Sequence, residues 1–375
     1  MLPARSDAPG LVDVLTSAAA AIAGEQGALR LPRVRSAVVL VVDGLGAAQL
    51  GQPAGHARTL AGAPGGSIDA GFPSTTASAL ASLTTGARPG QHGIVGYDAL
   101  VPGVGVRNQL RDWGGPMDPA AWQRIPTVFE RLDAVACTVI AEPKHAASGF
   151  THAVLRGAAY RGGRTVAERF ALAADEARSG GLVYLYVPEL DRIGHERGWG
   201  SNEWTDALEI VDGEIAELAR SLPRDAGLIV TADHGMVDVD ASRHLIAPAS
   251  LLGDVAQVAG EPRCLQLHLE AAAGVDADAD DAAALDASAL ADAWRGWAQD
   301  AAWVATRDEA IASGWFGEVD PQVAPRIGDV LVAARGRFAI YLDEADPARG
   351  MVGQHGSLTP EELRVPLRRF GAFAR

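Results

Sequence analysis

The stretch SAVVLVVD, residues 36–43, decides the fold. It is a continuous run of apolar, mostly β-branched residues that ends in an acid, which is typical of a strand buried on both faces of a parallel sheet. Similar runs follow at residues 137–141, 181–187 and 227–233. Helical patterns lie between them, notably at residues 166–178 and 203–222. This alternation predicts an α/β fold with a mostly parallel central sheet and helices on both faces.

The character of the chain changes between about residues 252 and 342. An Ala/Asp tract at 275–290 predicts a solvated linker and the start of a helix, because it lacks the glycine turn and ligand spacing of a calcium loop. A helix around Trp294 to Trp297 follows, and then two Val/Ile-rich segments at 329–333 and 337–342. We therefore expect a catalytic core of residues 1–251 and 343–375, with a smaller α+β insertion at 252–342.

Composition limits the partners of the chain. Its 32 basic and 47 acidic residues give a net charge of −15, which argues against a nucleic-acid partner. No run approaches the roughly 18 apolar residues that span a bilayer, and residues 11–24 resemble an amphipathic helix more than a signal peptide. We expect a cytoplasmic protein without a membrane partner, and its oligomeric state stays open. The single lysine, Lys144, indicates codon composition rather than function.

The two cysteines, Cys137 and Cys264, lie far apart in apolar surroundings. Neither a disulfide framework nor a CxxC metal site is present in the sequence. We expect two buried free thiols.

Acidic residues follow three of the predicted strands. In parallel sheets ligands bind at the carboxyl ends of strands, and Asp43, Asp191 and Asp233 stand at or just after those ends. Asp191 and His195 are four residues apart, so a helix would place both on one face for chelation. His234 follows Asp233 directly, where the end of the strand and the flexible Gly235 let both side chains converge.

Each of these residues also has a structural interpretation when it is taken alone. An acid at the end of a strand is often a helix cap, a DxxxH pair often lies on a helix surface, and His355 in the loop GQHGS is typical of a surface histidine. The combination favours a metal site, because ligands from several parallel strand ends meet in one crevice.

A hydroxyl group completes the pattern. The stretch FPSTTASALASLTTG, residues 72–86, predicts an extended approach, a helix that begins near Thr76, and a helix end at Gly86. The threonine is either a simple N-cap or a nucleophile. Beside metal ions the second role is favoured, because cations stabilise the alkoxide and a helix N-terminus attracts anions.

The order of these motifs resembles the alkaline phosphatase superfamily. An acid after the first strand is followed by Pro-x-x-Thr before a helix, then HGI at 92–94, DxxxH at 191–195, DHG at 233–235 and a late GQHG at 353–356. The set is most similar to the type I phosphodiesterase and nucleotide pyrophosphatase branch. The resemblance covers roughly residues 36–240 and 350–370, which excludes the insertion.

The resemblance implies the roles of individual residues. One zinc ion would be bound by Asp191, His195 and His355. The second zinc ion would be bound by Asp43, Asp233, His234 and the oxygen of Thr76. Thr76 would be the nucleophile because it is the third residue after Pro73, with Thr75 next to be considered. His92 would be structural.

The sequence also departs from the pattern of the family. Diesterases of this family usually have an aromatic residue directly after the nucleophile and an asparagine shortly after HGI, where this chain has Ala77 and Tyr97. Tyr97 is therefore the candidate contact for a phosphate oxygen. Four further aromatic residues in loops near the motifs are candidates for the walls of the substrate pocket: Trp113, Phe150, Tyr160 and Trp199.

The implied activity is hydrolysis of small phosphate diesters or nucleotide pyrophosphates, through a phosphothreonine intermediate on a site with two divalent metal ions. Zinc suits three Asp and three His best, and manganese or iron also suit such ligands. The alternatives are a phosphomonoesterase or phosphonate hydrolase on the same site, and a catalytically silent metal-binding protein. We expect diesters to be preferred, because no arginine or lysine adjoins Thr76 in sequence. Arg107, Arg156 or Lys144 would have to fold over the site to compensate for the extra charge of a monoester.

Overall fold

The computed structural model describes residues 2–3, 8–51, 55–269 and 279–375. Its strands are β1 (Ser36–Val42), β2 (Gly65–Asp69), β3 (Asp98–Val101), β4 (Gly105–Asn108), β5 (Cys137–Ala141), β6 (Ala159–Gly162), β7 (Gly181–Val187), β8 (Ala226–Thr231), β9 (Val237–Asp238), β10 (His244–Ile246), β11 (Val255–Glu261), β12 (Cys264–Leu269), β13 (Ala302–Thr306), β14 (Val330–Ala334), β15 (Ala339–Tyr341), β16 (Gly353–Gln354) and β17 (Arg364–Gly371).

The helices are α1 (Val12–Ala23), α2 (Ala47–Gly51), α3 (Arg58–Gly62), α4 (Thr76–Thr85), α5 (Pro89–His92), α6 (Pro119–Trp122), α7 (Val128–Arg131), α8 (Gly149–Val154), α9 (Val166–Ser179), α10 (Glu189–Arg197), α11 (Asn202–Ser221), α12 (Ala279–Ala298), α13 (Arg307–Ala312) and α14 (Pro360–Leu363). No helix in the described ranges is long and apolar enough to cross a membrane.

The central sheet has seven strands in the order β2-β17-β8-β1-β7-β5-β6. The five strands from β8 to β6 are parallel, whereas β17 is antiparallel to both β8 and β2. Every residue of β1 is buried, which its continuous apolar run predicts. The predicted α/β class with a mostly parallel sheet is confirmed.

The predicted elements of the core agree closely with the structure. The runs at 36–43, 137–141, 181–187 and 227–233 form β1, β5, β7 and β8, and the helical patterns form α9 and α11. Helix α4 begins at Thr76 and ends before Gly86, whose φ of 67° places it in the left-handed region that glycine adopts readily. Cys137 and Cys264 are buried free thiols, as expected.

A second, antiparallel sheet has the order β11-β12-β14-β13 and packs against α12. Its core contains the fully buried Trp294, Leu267 and Val332. The segment predicted at 329–333 overlaps β14, whereas the segment at 337–342 contains β15, which pairs in parallel with β10 outside this sheet. Residues 275–278 of the Ala/Asp tract lie outside the described residues, and α12 begins at residue 279. The boundaries 252 and 342 remain a prediction.

Candidate metal centre and active site

The ends of β1 and β8 bring the first group of candidate ligands together. These strands are parallel neighbours, so Asp43 and Asp233, which follow them, emerge at the same edge of the sheet. The Nε2 atom of His234 lies 3.4 Å from Oδ1 of Asp43 and 3.5 Å from Oδ2 of Asp233. The three residues, which we call the Asp43 group, are buried, and their ligand atoms lie within 4.8 Å of one another.

A second group, the Asp191 group, is built on α10, which follows β7. Asp191 and His195 lie one turn apart, with 3.3 Å between Oδ2 and Nε2. His355 comes from the loop after β16, and its Nε2 lies 3.6 Å from Oδ1 of Asp191 and 3.3 Å from Nε2 of His195. The two groups adjoin, because the rings of His234 and His355 stack with centroids 3.6 Å apart. The structure thus brings together all six predicted Asp and His ligands.

Backbone carbonyl oxygens orient the three imidazoles. The Nδ1 of His195 lies 2.7 Å from the oxygen of Gly353, that of His355 lies 2.8 Å from the oxygen of Ser74, and that of His234 lies 3.1 Å from the oxygen of Gly235. Because a carbonyl only accepts hydrogen bonds, Nδ1 of each ring carries a proton, and whenever the ring is neutral Nε2 presents its lone pair to the site. Metal-binding histidines are typically held in this way.

The three carboxylates, like the imidazoles, are arranged to bind a cation. Each carboxylate has one buried oxygen without a hydrogen-bond partner among the described residues: Oδ1 of Asp43, Oδ1 of Asp191 and Oδ2 of Asp233. Buried oxygens of this kind are costly unless a cation or a donor meets them. Burial and the neighbouring Asp233 raise the pKa of Asp43 well above its usual value. Three carboxylates and three imidazoles are suitable ligands for divalent metal ions such as zinc.

Electrostatic interactions divide the Asp191 group into an ion pair and a neutral ring. Burial alone would raise the pKa of Asp191, but the charge and hydrogen bond of His195 hold it below its usual range. Burial alone would lower the pKa of His195, but Asp191 raises it to about 9. Burial and the neighbouring His234 lower the pKa of His355 well below its usual value. His355 is therefore neutral and its Nε2 is available as a ligand.

Thr76 is the first residue of α4 and lies beside the Asp43 group. Its Oγ1 is 3.1 Å from Nε2 of His234, and the side chain is half-buried. Thr75, the residue before it, is extended (φ −123°, ψ 143°) and fully buried. Ser74 accepts a hydrogen bond from Gly356 N at 3.1 Å, which ties this segment to the loop of His355. Of the two threonines, Thr76 is the one whose hydroxyl lies next to a candidate ligand.

Two cavities meet at Thr76. The larger one, about 860 Å³, runs between the candidate ligands and the second sheet, and the smaller one, about 340 Å³, lies on the side of α10. Both are lined by Thr76, Asp191 and His195. Tyr97 lines the larger cavity, where its hydroxyl accepts a hydrogen bond from Arg111 at 3.1 Å.

The other four aromatic wall candidates lie outside the larger cavity. Trp113 packs against Phe150 with centroids 6.3 Å apart, Tyr160 donates a hydrogen bond to the carbonyl of Glu142, and Trp199 packs against the main core. Tyr341, which the sequence did not single out, lines the cavity instead. Phe150 lies in α8 and Tyr160 in β6, so these two are not loop residues as expected. Proximity to a motif did not separate binding residues from packing residues, because aromatic side chains serve in both.

Three further positions refine the sequence-based prediction. His92 is fully buried between Ser82 and Ile94, and burial lowers its pKa to about 3, so it is structural as expected.

Tyr186, at the end of β7, was missed: its hydroxyl donates a hydrogen bond to Oδ2 of Asp43. Gly235 was expected to ease a turn, but its φ is not left-handed. It is required for space, since a Cβ there would lie 2.1 Å from the carbonyl oxygen of Glu361.

A mostly parallel sheet with candidate metal ligands at its carboxyl edge is typical of a class of α/β enzymes. Comparison with known families identifies which family of that class the chain belongs to. The chain belongs to the type I phosphodiesterase / nucleotide pyrophosphatase family, whose sequence pattern matches residues 37–358. It is thus an enzyme acting on phosphoric esters, in the alkaline phosphatase superfamily. No curated protein sequence matches the chain significantly.

Solved structures confirm the fold. Murine ectonucleotide pyrophosphatase / phosphodiesterase 5 is 18% identical with a TM-score of 0.66, and the alignment covers 88% of this chain and 87% of that one. An inactive variant of the same protein, in which a threonine is replaced by alanine, was solved in complex with AMP. Phosphonoacetate hydrolase from Sinorhizobium meliloti 1021, in complex with phosphonoacetate, is 21% identical with a TM-score of 0.68, and the alignment covers 91% of both chains.

Proposed function

We propose that this enzyme hydrolyses small phosphate diesters or nucleotide pyrophosphates, with Thr76 as nucleophile and a phosphothreonine intermediate. One observation carries the proposal. The hydroxyl of Thr76 stands at the N-terminus of α4, 3.1 Å from Nε2 of His234, at the edge of two groups of candidate metal ligands. A nucleophilic oxygen, an anion-attracting helix end and two cation sites are the parts that phosphoryl transfer needs.

Different residues of the chain bind the metal ions and attack the phosphorus. Bound divalent ions would supply positive charge that lowers the pKa of a hydroxyl and neutralises phosphoryl oxygens. The Asp43 group, with Thr76, would hold one ion, and the Asp191 group the other, both most simply zinc. The Thr76 oxygen forms a bond to phosphorus while the bond to the leaving oxygen breaks. Water then cleaves the phosphothreonine, and two displacements give net retention at phosphorus.

The larger cavity supports a substrate with a sizeable alcohol group. Its volume of about 860 Å³ is within the range of pockets for small organic ligands. Tyr97 and Arg111 provide a hydroxyl and a cation on its wall, so we propose Tyr97 as a contact for a phosphate oxygen. The inactive threonine-to-alanine variant of the murine pyrophosphatase was solved with AMP, which supports a nucleotide-sized substrate and a threonine nucleophile in this chain.

A second candidate is phosphonate or phosphomonoester hydrolysis on the same site. Of the three basic residues considered from sequence, Arg107 is exposed and donates a hydrogen bond to the carbonyl of Val106, and Arg156 pairs with Glu130. Lys144, in contrast, lines the smaller cavity together with Thr76. Of the three, Lys144 is therefore the candidate to compensate for the extra charge of a monoester. The similarity of the fold to phosphonoacetate hydrolase is in keeping with this candidate.

The test compares two substrates in three proteins. Zinc-loaded wild type should hydrolyse bis-p-nitrophenyl phosphate faster than p-nitrophenyl phosphate, and a chelator should abolish both activities. Thr76→Ala should lower turnover by roughly three orders of magnitude or more, yet keep its metal content because six ligands remain. Thr76→Ser, which keeps a hydroxyl, should recover part of the activity. Full turnover in Thr76→Ala would refute this nucleophile, and a clear monoester preference would favour the second candidate.

A further inference from the structure

A cluster of charged side chains lies in the smaller cavity, outside the two ligand groups. Lys144 Nζ is 2.9 Å from Oε2 of Glu142, and Arg192 Nη2 is 3.6 Å from Oε1 of the same carboxylate. His145 Nε2 lies 3.7 Å from Glu142 as well. The same cavity is lined by Thr76 and Asp43, so the cluster and the proposed nucleophile face one space.

The sheet positions this cluster. Strands β5 and β7 are parallel neighbours, so the segments that follow them leave the same edge. Lys144 lies in the 3-10 turn Pro143–His145 after β5, and Arg192 lies on α10 after β7, directly after the candidate ligand Asp191. Glu142, which is only 14% exposed, stands between them and holds both cations at the carboxyl edge, where parallel sheets bind ligands.

Within the cluster the permanent cations outnumber the carboxylates, although Asp43, Asp191 and Glu196 also line the cavity. One carboxylate, Glu142, faces two permanent cations, and a lysine ammonium has three N–H donors, of which Glu142 can use only part. Glu196 also lines the cavity, but it is exposed, and the described residues give it no ion pair with Lys144 or Arg192. Donors therefore remain for an anion in the cavity that Thr76 also lines.

The identity of Lys144 adds a second observation. It is the only lysine among 32 basic residues, so arginine serves everywhere else in this chain. An ion pair as exposed as that of Lys144 contributes little to stability. Stability therefore does not explain why a lysine stands at this position. A compact ammonium on a flexible stem differs from a planar guanidinium chiefly in how it meets a small anion. Codon composition explains the arginines but not this position.

We propose that Lys144 and Arg192 form a subsite for a second anionic group of the substrate, a carboxylate or a phosphate, while its phosphorus reacts at Thr76. The inference rests on the proposed function and narrows its substrate class. The substrate would be a small phosphonate or phosphate that carries another oxyanion a few bonds from the reacting phosphorus. Glu142 is a positioning residue in this subsite, because it holds the two cations without facing the reacting atoms.

The test measures binding rather than turnover, by calorimetry on the zinc-loaded protein. Phosphonoacetate and methylenediphosphonate carry a second carboxylate or phosphonate, whereas ethylphosphonate has a methyl group in that place. Wild type should bind at least one of the first two about 10 to 100 times more tightly than ethylphosphonate, the range expected for hydrogen bonds to charged groups. Lys144→Met should reduce that ratio to near one. Loss of the ratio for one ligand only identifies the anion as carboxylate or as phosphate.

Arg107→Met is the matched control, because Arg107 is an exposed arginine outside both cavities and its loss changes net charge equally. It should keep the wild-type ratio. An unchanged ratio in Lys144→Met would overturn the subsite, even if bis-p-nitrophenyl phosphate is hydrolysed. A ratio that falls only in Lys144→Met would uphold the subsite even if that diester is not turned over, so the two proposals fail separately.

Discussion

At the scale of single residues, Tyr186 controls how Asp43 is presented. Burial and the adjacent Asp43 raise the pKa of Tyr186 well above its usual value, so its hydroxyl stays protonated and donates to Oδ2 of the carboxylate. That contact leaves Oδ1 directed towards His234. Partners of this kind fix the orientation of a metal ligand and typically affect metal affinity 10- to 100-fold.

We therefore expect Tyr186→Phe to weaken metal binding by the Asp43 group by about 10- to 100-fold. The measurement is a competitive titration of zinc against a chromogenic chelator. Tyr184→Phe is the control: it lies on the same strand, its ring stacks on that of Tyr186, and its buried hydroxyl has no partner among the described residues. Equal zinc affinities in the two variants would contradict the proposed role of Tyr186.

The candidate ligands could be predicted from sequence because each follows a recognisable strand or stands in a short motif. Asp43 and Asp233 are acids after apolar runs, and Asp191 and His195 have helical spacing. Tyr186 could not be predicted in the same way, because the run GLVYLYV is apolar on both faces and has no alternation to set it apart. Its role depends on pairing with β1, which is a tertiary contact.

At the scale of elements, three segments meet behind the site with no room for a side chain. A Cβ at Gly235 would lie 2.8 Å from Cα of Gly46, in the loop after β1, and 2.1 Å from the carbonyl oxygen of Glu361 in α14. Real Cβ atoms do not approach backbone so closely, and neither neighbour is a flexible side-chain end. The loop that carries His234 is therefore fixed by backbone packing.

Gly235→Ala should displace this loop, destabilise the fold by about 1–3 kcal/mol, and lower zinc binding together with activity. Gly213→Ala is the matched control, because Gly213 is exposed inside α11 with nothing within 4 Å of the added Cβ. Alanine there should stabilise the protein by up to about 1 kcal/mol. Urea unfolding and metal analysis of both variants provide the comparison. Full zinc occupancy in Gly235→Ala would argue against this coupling.

Among the strands that escaped prediction are β2, at one edge of the central sheet, and its neighbour β17. Strand β2 is the sequence GGSID and is mostly exposed, and β17 is RVPLRRFG, with three arginines and a proline. Neither has an apolar run or a clear alternation, so neither is recognisable as a strand from sequence. They form because β8 offers an unpaired edge that β17 occupies, and β17 in turn pairs with β2.

At the scale of the whole molecule, the larger cavity lies between two separately packed cores. Helices and the central sheet form the main core, whereas Leu267, Trp294 and Val332 belong to the second. Val258 and Leu265, from β11 and β12, line the cavity opposite the candidate ligands. The proposed chemistry therefore depends on one core, and much of the substrate wall depends on the other.

Metal binding should stabilise the whole molecule. An ion that binds only the folded state, at a free concentration about 1,000 times its Kd, contributes about 4 kcal/mol. We expect a chelator to lower Tm clearly in calorimetry of wild type, and to lower it as much in Thr76→Ala. In His355→Ala the shift should be smaller, because the Asp191 group loses one of three ligands. An identical shift in His355→Ala would place the stabilising ions elsewhere.

The three imidazoles of the site are anchored by peptide oxygens of Ser74, Gly235 and Gly353 rather than by side chains. Every residue type carries such an oxygen, so no codon change can delete these acceptors. Related proteins could differ in the side chains around the centre, and the backbone acceptors would still keep a proton on Nδ1 of each histidine. Substitutions can therefore replace the histidines or shift the backbone, but they cannot remove the carbonyl groups that hold the rings in place.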